Sequence, residues 1–129
     1  MVKSEDLNHH QTLFAGRCAE WFVEAGFIAV ASVLPPSNVV CVKIHGFTFL
    51  SPVEPGEIIK FESKIVHTGR SSVKAYITLQ RKRDQNPIVS GFITFVHVDQ
   101  AGQPIPHQLT LEVTNPEDVR LNQIAVELT

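Results

Sequence analysis

Cysteine is scarce in this chain, and it lacks long uncharged apolar runs, an excess of positive charge, and repeats or low-complexity segments. The two cysteines among 129 residues, Cys18 and Cys41, each lie in a mostly apolar stretch. They read as two buried thiols rather than a disulfide, because a chain of this length buries roughly two thirds of its unfolded surface and needs no covalent staple. A net charge of −2 argues against a dedicated nucleic-acid binder, which usually shows a concentrated basic face. The apolar run from Phe22 to Leu34 is broken by Glu24 and is too short for a bilayer, which takes about 20 residues. The opening "MVKSEDLNHH" is polar throughout and does not read as a secretory signal. The expectation is a cytoplasmic protein with no membrane span, folded as one domain over residues 1–129. Its 43% hydrophobic and 19% charged residues are ordinary for a globular domain.

What is present is one long apolar segment followed by alternation. Helical character runs from about Thr12 to Val33, roughly 20 residues or about 30 Å. Thr12 has the hydroxyl of an N-cap, and "LPPSN" at 34–38 ends the helix because proline cannot continue it. Apolar residues coat most of this helix, from Leu13 and Phe14 through Trp21 and Phe22 to Val33, so it reads as enclosed. Arg17, Glu20 and Glu24 interrupt the coat along one narrow stripe. Burying a carboxylate without a partner is costly, so the stripe must face water, a subunit contact or a site. On the residues alone, a glutamate beside an arginine reads as solvated or ion-paired.

After the helix the period changes to two. In "EIIKFESKIV" (57–66), Ile59, Phe61 and Ile65 share one face and Lys60, Glu62 and Lys64 the other. In "SVKAYITLQR" (72–81), Val73, Ala75, Ile77 and Leu79 oppose Lys74, Tyr76, Thr78 and Gln80. Such alternation marks antiparallel strands with one wet face. Further strands are expected at 39–50 and 88–99, the latter apolar on both faces and therefore central or part of a subunit contact. Turns fall at 51–56, 68–70 and 82–87. A short last helix is expected at about 115–128, with Asn115 before it and Pro116 in its first turn. One helix and a sheet with a single apolar face make a two-layer α+β domain.

Several segments, in order over residues 8 to about 107, resemble the hotdog-fold acyl-CoA thioesterases: "NHHQTLFAG", "WFVEAG", "FLSPVEPGE", "HTGRSSV" and "TFVHVDQAGQPIP". The resemblance implies a hotdog fold, an antiparallel sheet wrapped around one long central helix. It also implies hydrolysis of an acyl-CoA thioester, with coenzyme A entering as part of the substrate and no separate cofactor or metal. The enzymes resembled are homodimers or higher oligomers built from dimers. Their sites lie between subunits, a carboxylate of one chain facing an asparagine of the other. A carboxylate activates water or attacks the thioester carbonyl itself, and backbone N–H groups at a helix start stabilise the oxyanion. Here those roles fall to Glu24, to Asn8, and to the region Ala15 to Arg17, where Gly16 lets a carbonyl approach.

The family's acid usually sits nine residues after the aromatic or histidine of the turn, and counted from Phe14 that position is Val23. Glu24 is one residue on, a rotation of about 100°. Three alternatives follow. The helix start is shifted by one residue and Glu24 is the acid; Glu20, one turn earlier, serves instead; or the acid is lost and the chain only binds acyl-CoA or an acyl-carrier protein. A hotdog dehydratase, needing a histidine and a carboxylate in one site, is a further class. His9 and His10 are adjacent, so on an extended chain they point to opposite sides and do not make a metal pair. His10 is the substrate-lining candidate of the two. Gln11 stands where family members often have glycine. For the coenzyme, "TGRSS" offers Gly69, Arg70, Ser71 and Ser72, with Arg70 suited to a phosphate and Lys60, Lys64 and Lys74 as supplements. On composition alone the same segment is a polar hairpin turn.

Overall fold

The computed structural model describes residues 1–84 and 86–129; Gln85, within the turn expected at 82–87, lies outside the described residues. Helix α1 spans Ala15–Ala31, shorter at both ends than its apolar coat suggests. Thr12 and Leu13 are drawn out of it, because the Thr12 N–H donates to Asn8 Oδ1 and the Leu13 N–H to Val53 O. Phe14 is therefore the N-cap and no side chain caps the helix; Thr12 is not the cap. At the far end the Ser32 N–H bonds to Ile28 O and the Leu34 N–H to Val30 O. The Val33 N–H bonds to the same Val30 O, tightening the last turn, and Pro35, with no N–H, cannot carry the ladder further.

Cys18, Phe22, Gly26 and Val30, four residues apart, form the buried stripe of α1. The helix is not enclosed within one chain: Phe14, Ile28 and Val33 are exposed, because only one sheet packs against it. That sheet has four antiparallel strands in the order β1-β4-β3-β2, with β1 at Val39–Ile44, β2 at Ile59–Thr68, β3 at Ser72–Arg81 and β4 at Pro87–His97. Val73, Ala75, Ile77 and Leu79 of β3 lie beneath α1 with no exposure, and Ile59, Phe61 and Ile65 of β2 pack into the same core. Full burial of Val73, Ile77 and Leu79 stabilises the fold by about 1.5–3 kcal/mol each. Gly26 sets the close approach of helix and sheet, since a Cβ there would stand 3.1 Å from Ile77 Cδ1 and 3.3 Å from the Phe95 ring.

Strand β4 is central, as its two apolar faces require, and β1 is an edge. The strand expected at 39–50 stops at Ile44, because Gly46 takes a positive φ of 97° that no strand continues through. The edge position exposes Cys41, correcting the expectation of two buried thiols. Cys18 is buried, and burial pushes its thiol up to about 12.

The other face of the sheet carries helix α2, Pro116–Glu127, whose Asn115 cap accepts the Asp118 N–H at 2.8 Å. Leu121 and Ala125 pack on Val66 and Phe92. A bulge between Ile65 and His67 accompanies the burial of Val66 against this helix. Lys74, expected on the wet face, is only 9% exposed. Its Nζ donates to Ala125 O and Leu128 O, each at 2.7 Å, so a strand residue satisfies carbonyls at the helix C-terminus. Among the described residues no helix is long and apolar enough to cross a membrane.

Candidate functional site

Residues 6–14 fold into a small closed loop that delivers the chain to the start of α1. Leu7 bridges Leu13, and the Asn8 N–H donates to Thr12 O at 2.8 Å. Gln11 turns the loop with φ +62°, which accounts for a glycine preference at this position. The Asn8 side chain is partly used by its own loop. Its Oδ1 accepts from His10 N at 2.8 Å and Thr12 N at 3.2 Å, and its Nδ2 donates to Thr12 Oγ1 at 3.0 Å. One amide hydrogen remains for an outside acceptor. His9 and His10 occupy a turn, not an extended segment, and their rings are in tilted contact with centroids 4.0 Å apart. The expectation that they point to opposite sides is therefore corrected.

An α-helix leaves its first N–H groups without intrahelical acceptors, and no side chain caps α1. The amides from Ala15 to Arg17 thus form an open donor set with the positive end of the helix dipole behind them. Phe14, 54% exposed, lays its ring over Gly16: a Cβ at that position would meet Phe14 Cε2 at 2.5 Å.

Gly16, Ala19, Glu20, Val23, Glu24 and Phe27 then line a groove of about 560 Å³ whose other wall includes Cys41 and Phe95. A second groove of about 340 Å³, between Trp21, Ile28, Ile59 and Phe61, reaches Glu24 from the opposite side. Glu24 stands on the ridge between them. Both candidate acids are exposed, yet they differ in company. Glu20 is paired with Arg17 Nη1 at 3.5 Å, whereas Glu24 has no ion-pair partner among the described residues. Val23, half-buried, contributes only apolar surface.

The coenzyme candidates lie elsewhere in the chain. Gly69 and Arg70, with Ser71, form the β2–β3 turn, closed by Gly69 N–H donating to Ser72 O at 2.9 Å. His107 pins the turn through its backbone N–H to Arg70 O at 3.2 Å and its Nε2 to Ser72 O at 2.9 Å. A carbonyl partner at Nε2 and the Leu109 N–H at Nδ1 fix the neutral, Nε2-protonated tautomer. Arg70 is exposed. Trp21 meets Phe61 edge to face, with ring centroids 6.5 Å apart, so the first half of α1 lies near the start of β2. The turn follows the end of that strand, about 23 Å along it. One chain therefore brings Gly16, Glu20 and Glu24 together in a groove but does not join them to Gly69–Ser72. The supplementary lysines are occupied: Lys60 pairs with Glu62 at 2.8 Å, Lys64 with Asp118 at 2.7 Å, and Lys74 with α2.

Nothing in the sequence marks Phe27, Cys41 and Phe95 as walls of one groove. Their signal is only apolarity, which any core residue shares. The Asp6–Arg17 pair was missed too, since eleven residues separate its members.

The chain is similar to known proteins in sequence and fold. The uncharacterized acyl-CoA thioester hydrolase YkhA of Bacillus subtilis is 25% identical over 95% of this chain and 72% of its own length. A hexameric acyl-CoA thioesterase solved without ligand superposes with a TM-score of 0.87 at 27% identity, over 98% of this chain and 82% of that one. An acyl-CoA hydrolase of Staphylococcus aureus, solved with butyryl coenzyme A and coenzyme A, superposes at 0.84 with 22% identity, over 98% and 76% of the two chains, and shows the shared fold. The sequence profile of the thioesterase superfamily matches residues 10–88, more than half of the chain, and the chain belongs to that family.

Proposed function

We propose that this protein hydrolyses an acyl-CoA thioester to the free acid and coenzyme A, with Glu24 as general base or nucleophile. The observation that carries the assignment is the groove itself: one stripe of α1 presents an uncapped helix start at Gly16 and, at Glu24, a carboxylate without an ion-pair partner among the described residues, along a mostly apolar wall. Glu20 lies on the same stripe but is held by Arg17, which favours Glu24. The reaction requires water and the substrate's own coenzyme A and no other cofactor, and we assign it to the cytoplasm.

Gly16 and Glu24 of one helix are about 12 Å apart along the axis. A single thioester carbonyl does not touch both. The site is therefore completed by a second copy, whose Asn8 amide and helix-start N–H groups face Glu24. Such a dimer gives β1 a partner for its exposed Val40, Val42 and Ile44 and closes the sheet around α1 as the long central helix of a hotdog fold. Two dimers or three complete a higher oligomer. Arg70, with Gly69, Ser71 and Ser72, takes the phosphates of the coenzyme, and His10 lines the entrance. Val23 supports a second reading, a domain that binds acyl-CoA without hydrolysing it.

Thiol release from a panel of acyl-CoAs separates the two. Wild type turns over, and Glu24→Gln loses about a hundredfold in kcat, within the usual span for general acid–base catalysis, while Glu20→Gln loses less than tenfold. Binding without turnover by the wild type establishes the second reading.

A further inference from the structure

Helix starts are usually capped by a short polar side chain worth about 1 kcal/mol. Here a buried carboxylate lies at the start of α1 and does not cap it. Asp6 is 4% exposed, and its Oδ1 accepts Arg17 Nε at 2.9 Å while its Oδ2 accepts Lys3 N at 2.9 Å. Its backbone carbonyl accepts the Phe14 N–H at 2.8 Å. One residue thus grips both the N-cap and the third helical residue. Between those two grips lie Ala15 and Gly16, whose amides stay open. The same residue borders the loop that holds Asn8, closed one step further on by the Leu7–Leu13 bridge. Arg17 is fixed from three sides: Asp6, Glu20 at 3.5 Å, and the Trp21 ring 5.9 Å below its guanidinium.

We infer that Asp6 and Arg17 are a positioning pair for the thioesterase reaction, clamping the Asn8 loop to the start of α1 so that the open amides and the Asn8 amide keep a fixed spacing. The inference rests on the assignment of those amides as oxyanion donors. The guanidinium occupies the carboxylate on its helix side, so Asp6 is held at the helix start without filling the donor set. Neither side chain touches the substrate, and the consequence of breaking the pair falls on the transition state more than on substrate binding. A misplacement of about 1 Å in such a constellation costs about a hundredfold in rate.

The test is steady-state thiol release by wild type, Asp6→Asn, Arg17→Gln, Arg17→Lys and the double variant Asp6→Asn/Arg17→Gln, each checked by thermal unfolding. We expect each neutralising variant to lose about a hundredfold in kcat with KM changed less than threefold. Arg17→Lys, which keeps the charge without the planar fork, recovers at least fivefold over Arg17→Gln. The double variant is no slower than the slower single, the behaviour of two residues acting as a unit. Losses that multiply, losses confined to KM, or folded variants with full kcat overturn the inference while leaving the hydrolase assignment standing. A wild type without turnover on any acyl-CoA removes both.

Discussion

Replacing Gly16 by alanine separates a packing role of this glycine from a chemical one. The new Cβ would meet Phe14 Cε2 at 2.5 Å and Cζ at 2.9 Å, so the ring must swing away. Phe14 is already 54% exposed, and moving it forfeits less than half of the roughly 1.5–3 kcal/mol that full burial of a phenylalanine gives. Alanine regains about 0.5–1 kcal/mol over glycine in a helix. The two effects nearly cancel, leaving net stability within about 1 kcal/mol of wild type. For a domain of this size that is a shift in Tm of about 4 °C or less. Activity responds differently, because the methyl group stands where a thioester carbonyl approaches the helix-start amides. Loss of one oxyanion donor costs about a hundred- to a thousandfold, and we expect Gly16→Ala to lose kcat on that scale. Circular dichroism melting beside thiol release measures both quantities on one sample. Phe14→Ala/Gly16→Ala identifies the obstacle: recovery of activity implicates the displaced ring, and continued loss implicates the methyl group. A folded Gly16→Ala with at least a third of wild-type kcat refutes the role of this helix start.

Two further expectations concern the opposite face of the sheet. Lys74→Ala removes two charged hydrogen bonds to α2, leaving Ala125 O with the Leu128 N–H and taking the Nζ partner from Leu128 O; we expect a loss of about 2–3 kcal/mol. Hydrogen exchange should find α2 opening before the strands, and unchanged protection of residues 116–127 would contradict this. Burial, with Lys74 nearby, holds His67 below the ordinary 6.5, and burial with Lys43 and Lys74 does the same for His45. Both bind a proton more readily in the unfolded chain, so their contribution is complete above about pH 6.5 and fades as pH falls through the folded values. The urea midpoint should drop between pH 7 and pH 5, less so in His67→Gln; a flat profile in the wild type would rule this out.

The sheet was largely legible because burial against a helix imposes a strict period of two: the four apolar residues of β3 were read from alternation and all are fully buried. The family motifs likewise locate the Asn8 loop and the helix start, though not the helix boundary. Thr12 has the chemistry of a cap, but its amide and hydroxyl are claimed by Asn8, four residues earlier. Lys74 was misread for a related reason: its own strand pattern says solvent, and only the end of a helix 51 residues away says otherwise. Asp6 and Arg17 meet through a loop whose closure no local period reveals. Which carboxylate serves the reaction is a matter of partner, and a partner is a three-dimensional property.

The lysine beneath α2 has a consequence for the protein when that helix is away. If the side chain at position 74 were apolar, a frayed C-terminal segment would uncover a greasy patch running from Val66 on the edge strand β2 to Phe92 on β4, an invitation to adhere to other chains. With lysine there, the same opening returns a cation to water at the centre of the patch, and like charges on neighbouring molecules keep the uncovered faces apart. Transient loss of the C-terminal helix is thereby reversible: the side chain that fastens the helix when closed keeps the surface soluble until it re-forms.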